Sequence, residues 1–279
     1  MYRIAVLMTC FNRKLKTLEC LKALFDSKIP EEYSLEVYLV DDGSTDGTSE
    51  AIESNYPQVF LIKGNGALFW NKGMHLAFKT AAVKDYDFYV WLNDDTQLYK
   101  DALQKALETW KNRSKAVKHE KNIIVGTTCD PEKQTIATYG GVKRKKGLHP
   151  LRYEFLGESD EIQSADTFNG NIVLIPKSVH LEIGNLDPRF SHGIGDFDYG
   201  LRAKKKECNI FVAPGFLGKC SRNPIPSKMS YFQRINKMFS KKGLPFKDWV
   251  VYSFKHAGPF WFVWVTIPYI KIFFGKNHN

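Results

Sequence analysis

The sequence lacks the patterns that mark secreted and membrane-spanning proteins. Its five cysteines form no Cys-x-x-Cys pair, have no regular spacing and are odd in number, which favours a reduced cytoplasmic compartment. The N-terminus runs from Met1 directly into a strand-like segment, without the layout of a signal peptide. No apolar run is long enough for a confident membrane span. We therefore expect a protein of the cytoplasm.

Two nucleotide-binding patterns are also absent. A dinucleotide-binding sheet needs Gly-x-Gly-x-x-Gly after its first strand, but residues 9–13 here read Thr-Cys-Phe-Asn-Arg, and Gly64-Asn-Gly66 has no third glycine. There is no P-loop either. These absences exclude an ordinary dehydrogenase and a P-loop nucleotidase.

What is present is the composition of a folded protein with excess positive charge. Of the 279 residues, 43% are hydrophobic and 14% aromatic, which is globular rather than disordered. The length suits one large α/β domain with an appendage. The net charge of +10 favours an anionic ligand, an anionic membrane surface or nucleic acid as partner.

Apolar runs alternate with helical patterns along the chain. Strands are predicted at residues 3–9, 35–40, 59–62 and 88–92, with helices between them, the third over residues 70–84. Further strands are predicted at 123–128, 136–139 and 210–214, and residues 111–121 are predicted to be a surface connection. This alternation predicts a mainly parallel, doubly wound sheet whose polar turns meet at one edge.

The strand at residues 88–92 leads directly into Asn93, Asp94 and Asp95. Adjacent carboxylates at a strand end repel each other, so their burial is costly unless a cation lies opposite. Oxygen ligands suit Mg²⁺ or Mn²⁺, which usually also bind substrate phosphates. The alternative is that Asp94 and Asp95 cap a helix starting near Lys100.

Several motifs in order resemble one enzyme family. Residues 8–13 (Met-Thr-Cys-Phe-Asn-Arg), 40–46 (Val-Asp-Asp-Gly-Ser-Thr-Asp), Gly64-Asn-Gly66 with Asn71 and Gly73, and 92–96 (Leu-Asn-Asp-Asp-Thr) resemble the inverting family 2 glycosyltransferases over about four-fifths of the chain. The resemblance implies the GT-A fold, a nucleotide-sugar donor and a divalent metal.

The resemblance also implies roles for single residues. The donor would be bound by residues of the first half: Thr9, Phe11, Asp42, Asn65, Gly66, Trp70, Asn71 and Asp94. Asp95 would be the metal ligand that reaches the diphosphate. Asn93 stands where many relatives have the first acid of Asp-x-Asp, so metal binding would depend on Asp95 and the diphosphate. Cys220 stands where many relatives have a metal-binding His, and either ligates the metal or is an inert buried thiol.

A second set of residues is implied on the acceptor side: Asn169, Gly170, His192 and Asp198. Glycines at 193 and 195 allow a sharp turn before a helix, so Asp196 is expected at the helix N-terminus. By resemblance, Asp196 is the catalytic base, and Asp198 matches the second acid of the pair. Gly195 stands where many relatives have a further acid.

The C-terminal part differs from the rest in composition. We predict a catalytic domain over residues 1–225, with a donor half to about residue 98 and an acceptor half after it, and a basic, aromatic helical tail over 226–279. Residues 260–274 favour an interfacial helix on anionic lipid, with packing on the catalytic domain or a homodimer contact as alternatives. The basic residues 143–146 are predicted in a hairpin loop, either solvated or facing an anionic acceptor or headgroups.

Together these features predict a metal-dependent inverting glycosyltransferase at the inner face of the cell membrane. Its acceptor would be a glycan or lipid-linked glycan of a surface polysaccharide. Residues 67–70 (Ala-Leu-Phe-Trp) resemble relatives that use dTDP-rhamnose, and UDP-sugars remain open. The alternatives are a nucleotidyltransferase, which would need a glycine-rich and basic loop near the first strand, and a non-catalytic module that binds carbohydrate or nucleic acid. The convergence of acids at the strand ends disfavours the module, and no nucleic-acid partner is expected.

Overall fold

The computed structural model describes residues 1–222, 229–241 and 243–273. The predicted boundary between residues 225 and 226, and Phe274 of the predicted interfacial helix, lie outside these ranges.

The first part of the chain alternates strands and helices as predicted. Its elements are β1 (Tyr2–Cys10), α1 (Lys14–Phe25), β2 (Tyr33–Asp41), α2 (Thr48–Asn55), β3 (Phe60–Lys63), α3 (Phe69–Ala81), β4 (Phe88–Leu92) and β5 (Gln97–Leu98). Helix α3 ends three residues before its predicted end. Strand β5, which was not predicted, intervenes before the next helix.

The second part contains three helices and strands of 2 to 11 residues. Its elements are α4 (Ala102–Val117), β6 (Asn122–Cys129), β7 (Ala137–Tyr139), β8 (Gly141–Arg144), β9 (Tyr153–Phe155), β10 (Gln163–Ser164), β11 (Thr167–Phe168), β12 (Ile172–Pro176), α5 (Lys177–Ile183), α6 (Gly195–Lys205) and β13 (Asn209–Lys219). The prediction of a surface connection over residues 111–121 was wrong for most of its length, because α4 continues to Val117. Trp110 and Val117 pack on the core from the face that Leu103 and Leu107 bury, while Lys111 and Lys115 face solvent.

One large sheet organises the molecule, with the strand order β10-β13-β6-β12-β4-β1-β2-β3. Strands β13, β6, β4, β1, β2 and β3 run parallel to one another, and β12 runs antiparallel between β6 and β4. The carboxyl ends of β1, β2 and β4 therefore lie side by side. This is the edge at which open α/β sheets bind ligands.

Helices cover both faces of this sheet, as expected for a doubly wound fold. On one face, Leu21 of α1, Ile52 of α2 and Leu103 of α4 pack on the strands. On the other face, Phe78 of α3 and Tyr199 of α6 do so. Because the central strands are buried on both sides, they consist of continuous apolar runs rather than alternating residues.

The C-terminal helices are α7 (Tyr231–Phe239), α8 (Phe246–His256) and α9 (Trp261–Phe273). Trp249 and Tyr252 of α8 and Val265 of α9 form a third apolar cluster with Phe190 and Leu201 of the preceding domain. Helix α8 thus packs on the α6 side of the sheet. None of the described helices is long and apolar enough to cross a bilayer.

Candidate active site

The acid pair after β4 is bridged by an arginine. Arg13, in the turn between β1 and α1, donates from Nη1 to Asp94 Oδ1 at 3.1 Å and to Asp95 Oδ2 at 2.8 Å. We had not assigned Arg13 a role, although it belongs to the motif at residues 8–13. Because β1 lies beside β4 in parallel, its turn falls next to the acids. Arg13 therefore supplies part of the positive charge that we expected opposite the acid pair. The alternative, that Asp94 and Asp95 cap the next helix, was wrong, because the N-cap residue of α4 is Asp101.

Asp94 lies deep in this cluster. Burial raises the pKa of its carboxyl group to about 7, against the opposing effect of Arg13. Its Oδ2 atom is buried and has no hydrogen-bond partner among the residues that the structure describes. A buried carboxylate with one unpaired oxygen is costly, so the site fits a further cation or donor group.

Cys220, which directly follows β13, lies beside the pair. Its Sγ is 3.5 Å from Asp95 Oδ1 and 3.4 Å from Asn171 Nδ2. Burial raises the pKa of the Cys220 thiol to about 12, so the thiol is protonated at neutral pH. In the described part of the chain, no three His, Cys, Asp or Glu side chains are grouped to hold a metal ion. Asp95 and the unpaired oxygen of Asp94 fit a Mg²⁺ or Mn²⁺ ion that takes its other ligands from a diphosphate and water.

A cleft of about 260 Å³ opens next to the acid pair. It brings together many residues predicted to bind the donor, and its lining consists of Thr9, Cys10, Phe11, Arg13, Asp42, Gly66, Phe69, Trp70, Asp94 and His192. Asn65 lies at the exposed edge of this region, where its Oδ1 accepts a hydrogen bond from Ala67 N at 3.1 Å. His192, which we predicted on the acceptor side, lines the same cleft.

Asp42 holds one wall of the cleft in place. Its Oδ1 accepts from Gly66 N, and its Oδ2 accepts from Leu68 N and Phe69 N, each at 2.9 Å. The amides of Leu68 and Phe69 lie at the start of α3 and that of Gly66 lies in the loop before it, so the carboxylate compensates the helix terminus. Asp42 thus shapes the cleft through the loop it binds.

Trp70 connects the acid pair to the predicted catalytic base. Its Nε1 donates to Asn93 Oδ1 at 2.7 Å. Its ring packs on the backbone of Gly170, where an added Cβ would lie 2.6 Å from the indole. Gly170 N in turn donates to Asp196 Oδ2 at 3.0 Å. Any residue larger than glycine at 170 would push Trp70 away.

Asp196 occupies the first turn of α6, as predicted. Its Oδ1 also accepts from Phe197 N at 2.8 Å, and burial raises the pKa of its carboxyl group to about 6. The preceding Ile194 has a φ of 58°, a conformation that β-branched residues rarely adopt. Such strain is concentrated at functional sites. The carboxylate is therefore held in a fixed orientation with a pKa suited to accepting a proton near neutrality.

Asn71 lies in the interior rather than in the cleft. Its Nδ2 donates to Asp187 O at 2.8 Å and Phe190 O at 3.0 Å. A Cβ at Gly195 would lie 1.8 Å from Asn71 Oδ1. This close contact explains why position 195 has no acid, since any side chain there would collide with Asn71.

Asp198 also lies away from the cleft, although we had expected it on the acceptor side. It is fully buried, and it accepts from Arg202 Nε and His256 Nε2, both at 2.8 Å. Asn169, in contrast, is partly buried beside Gly170, and its backbone N donates to Gly140 O at 3.0 Å. Of the residues expected on the acceptor side, His192 therefore lines the cleft, Gly170 packs against Trp70 of its wall, and Asp198 does neither.

This combination of an open α/β sheet, paired acids at a strand end and a carboxylate at a helix start that contacts link to them is that of a GT-A type protein. The model of the family "Glycosyl transferase family 2" matches residues 5–160, which is more than half of the chain. The chain belongs to this family. No curated protein sequence matches it.

Solved structures support the same fold. A mannosyltransferase from Pyrobaculum calidifontis, in complex with GDP-Man and Mn²⁺, is 16% identical with a TM-score of 0.53, over 84% of this chain and 61% of that one. TarS 1-349 of S. aureus is 15% identical with a TM-score of 0.51, over 79% and 60%. Its complex with UDP-GlcNAc is 15% identical with a TM-score of 0.52, over 83% and 62%. The chain thus spans about three-fifths of the length of these proteins, and at this identity they show the GT-A fold alone.

Proposed function

We propose that this protein is a metal-dependent inverting glycosyltransferase. It transfers a sugar from a nucleoside-diphosphate donor to a hydroxyl group of a glycan or lipid-linked acceptor. The family and the fold support this class of reaction. The finer assignments, namely the donor, the acceptor and the role of each residue, rest on the geometry of the cleft.

One observation carries the proposal. A continuous set of contacts through Gly170, Trp70 and Asn93 links Asp196 to the acid pair and fixes them relative to each other. Of these groups, Trp70 and Asp94 line the cleft. An inverting transfer needs a base on the acceptor side and charge neutralisation on the donor side. The cleft supplies the donor side, and Asp196 supplies the base at the other end of these contacts.

The reaction that follows is a single displacement. The acceptor hydroxyl attacks the anomeric carbon while Asp196 takes its proton. A new C–O bond forms as the bond from the anomeric carbon to the diphosphate oxygen breaks, and the nucleoside diphosphate leaves with the electron pair. Attack from the face opposite the leaving group inverts the anomeric centre.

The donor side neutralises the negative charge of the leaving group. Asp95, with Asp94 and Cys220 beside it, would hold Mg²⁺ or Mn²⁺, which stabilises the diphosphate as it departs. Arg13 lines the cleft and adds a permanent positive charge. Phe11 is 47% exposed at the cleft and offers an aromatic face to the base of the nucleotide.

The donor is a dTDP- or UDP-sugar, and the pathway is assembly of a surface polysaccharide on the cytoplasmic face of the membrane. Residues 67–70 support a deoxysugar such as rhamnose. The complexes of the similar proteins contain UDP-GlcNAc and GDP-Man, so both also belong among the donors to be tested. The exposed Phe260, just before α9, and the exposed Phe262 and Ile270 of α9 support peripheral attachment to the membrane.

A thermal-shift panel of dTDP-rhamnose, UDP-GlcNAc, UDP-glucose and GDP-Man, with Mn²⁺ or with EDTA, tests the proposal. A ligand at about 100 times its Kd adds about 2.7 kcal/mol of stability. We expect one donor to stabilise the protein with Mn²⁺ and much less with EDTA. Asp95→Ala should lose the difference between the two conditions, whereas Asp160→Ala, at an exposed acid, should keep it. Equal stabilisation of the parent protein with and without metal would contradict a metal-dependent donor site.

A further inference from the structure

A second cavity, separate from the donor cleft, lies between the β8–β9 hairpin and the C-terminal helices. Its volume is about 470 Å³. The hairpin contributes Lys145, His149, Leu151, Arg152 and Tyr153, and the helices contribute Trp249, Ile267, Pro268 and Lys271. We call it the hairpin cavity. None of these lining residues is acidic.

The hairpin cavity has positive charge without a matching negative charge. Lys145, Arg152 and Lys271 line it, and none of them forms an ion pair with a carboxylate of the described residues. The pKa of His149 is lowered, first by burial and then by the charges of Lys271 and Arg152. Uncompensated cations around a concave site attract an anion.

The walls of the hairpin cavity are held by specific contacts. The ring of His149 lies 4.5 Å from that of Trp264. The hydroxyl groups of Tyr153 and Tyr252 are 2.7 Å apart, and Trp249 Nε1 donates to Trp264 O at 3.3 Å. The shape of the cavity is thus fixed by contacts between the hairpin and the C-terminal helices.

An exposed apolar helical surface borders the cavity. Val263 and Ile270 of α9 are 43% and 47% exposed. Ile267, which lines the cavity, is four residues after Val263 and three before Ile270, so the three side chains are neighbours on the helix. Phe260 and Phe262 add further exposed apolar area at the start of α9. The chemistry that matches a cationic cavity beside an apolar surface is a phosphate attached to an acyl chain.

We propose that the hairpin cavity binds the phosphate of an anionic lipid headgroup while Phe262, Val263 and Ile270 enter the acyl layer. This inference rests on the membrane attachment proposed above. Tyr153, a wall of the cavity, also packs on Phe197 with ring centroids 5.3 Å apart, and Phe197 follows Asp196. A headgroup bound here would therefore hold the membrane surface near the base, separated from it by the side chains of Tyr153 and Phe197.

The test compares two double variants with the same loss of charge. Arg152→Gln with Lys271→Gln removes two cations from the cavity. Lys111→Gln with Lys115→Gln removes two exposed cations from α4, outside the cavity. Co-sedimentation is measured with vesicles of phosphatidylcholine, with and without phosphatidylglycerol. At about 1 kcal/mol for each cation near the surface, the cavity variant should bind anionic vesicles about 30-fold more weakly than the parent, and the α4 variant less than about threefold.

The possible results separate this inference from the broader proposal. If the parent protein binds neither type of vesicle, membrane attachment itself is wrong. If it binds anionic vesicles and both double variants lose affinity equally, attachment is general electrostatics and the hairpin cavity is not a site. If calorimetry shows that the protein binds inorganic phosphate with the same affinity as anionic vesicles, the ligand is free phosphate and the lipid assignment is overturned. If the cavity variant does not fold, Lys145→Gln, at an exposed residue of the same wall, is expected to cause about a fivefold loss.

Discussion

At the scale of single residues, the candidate site depends on how buried acids are compensated. Asp94 keeps a raised pKa because burial outweighs the charge of Arg13. Burial also raises the pKa of Asp196, although three backbone amides oppose the shift. The two carboxylates nevertheless differ in surroundings: one shares a guanidinium with a second acid, and the other faces amides alone. This difference suits Asp94 to the cationic donor side and Asp196 to proton transfer.

Replacing Asp196 with Asn should remove the base while keeping the fold and the donor site. Asn is nearly isosteric but cannot accept the proton, so we expect turnover to fall by about 10²–10⁴-fold with little change in donor affinity. Because the base must be deprotonated, the activity of the parent should fall as the pH drops below about 6. Single-turnover rates across pH provide the measurement, with Asp160→Asn as control. Near-parental turnover in Asp196→Asn would assign the base elsewhere.

Arg13→Gln should change metal and nucleotide binding in opposite directions. The substitution removes a cation that competes for Asp94 and Asp95, so Mn²⁺ should bind the free protein about fivefold more tightly; the effect is modest because Arg13 is 38% exposed and partly screened. Nucleoside diphosphate in EDTA should bind more weakly, since a cation of the cleft is lost. Calorimetry measures both, with Arg13→Lys as the control that retains the charge. A parallel fall of both affinities would indicate local unfolding instead.

At the scale of elements, α8 supports the helix that holds the proposed base. His256 Nε2 donates to Asp198 of α6, and Asp248 Oδ2 accepts from Ser191 N at 2.6 Å, in the loop before α6. Although burial raises it, the pKa of Asp198 is lowered overall by its bonds with His256, Arg202 and Lys255. Helix α8 therefore packs as part of the catalytic unit. Helix α9 differs from it within the predicted tail, because α9 keeps an exposed apolar surface.

Asp198→Ala should destabilise the protein because it leaves buried cationic partners unpaired. We expect a loss of about 3–5 kcal/mol in the free energy of unfolding, against about 0.5 kcal/mol or less for Asp160→Ala. Urea denaturation measures both. The contribution of His256 to stability should fall as the pH drops below about 6.5, because burial lowers the pKa of His256 in the folded state and the unfolded chain takes up the proton first. The raised pKa values of Asp94 and Asp196 act in the opposite direction. An unchanged midpoint in Asp198→Ala would refute the supporting role.

At the scale of the whole molecule, charge and apolar surface are separated. The acids converge at the sheet edge, while cations line the hairpin cavity and exposed apolar residues cover one side of α9. The net charge of +10 adds a general attraction to anionic surfaces. In the proposed membrane attachment, such a distribution would orient the protein, with one side facing an anionic membrane and the acidic edge binding the nucleotide with a cation.

Phe262→Ser with Ile270→Ser should weaken binding to anionic vesicles without affecting the fold. Both side chains are exposed, at 55% and 47%, and inserting each contributes on the order of 1.5 kcal/mol, so we expect at least a tenfold loss of affinity. Leu181→Ser, at a residue of α5 that is 73% exposed, is the control. Added salt should reduce the binding of the parent without abolishing it, because salt screens charges and not apolar contacts. Binding that salt abolishes completely would rule out insertion of α9.

The sequence by itself determined the order of strands and helices in the first half, the polar turns at the strand ends and the position of Asp196 at a helix start. These features are local, because side-chain periodicity and turn chemistry act over a few residues. The ordered motifs added the family. The register of β12 between β4 and β6 could not be predicted, since strand order depends on long-range packing.

Only the tertiary structure decided which distant groups meet. Arg13 and Asp94 are 81 residues apart in sequence, and Asp198 and His256 are 58 apart. Asn71 matched a donor-site motif, yet it binds carbonyl groups more than 100 residues away. The hairpin cavity likewise joins residues of β8–β9 with those of α8 and α9. Such contacts depend on which elements become neighbours when the sheet buries both of its faces, and no local pattern encodes that choice.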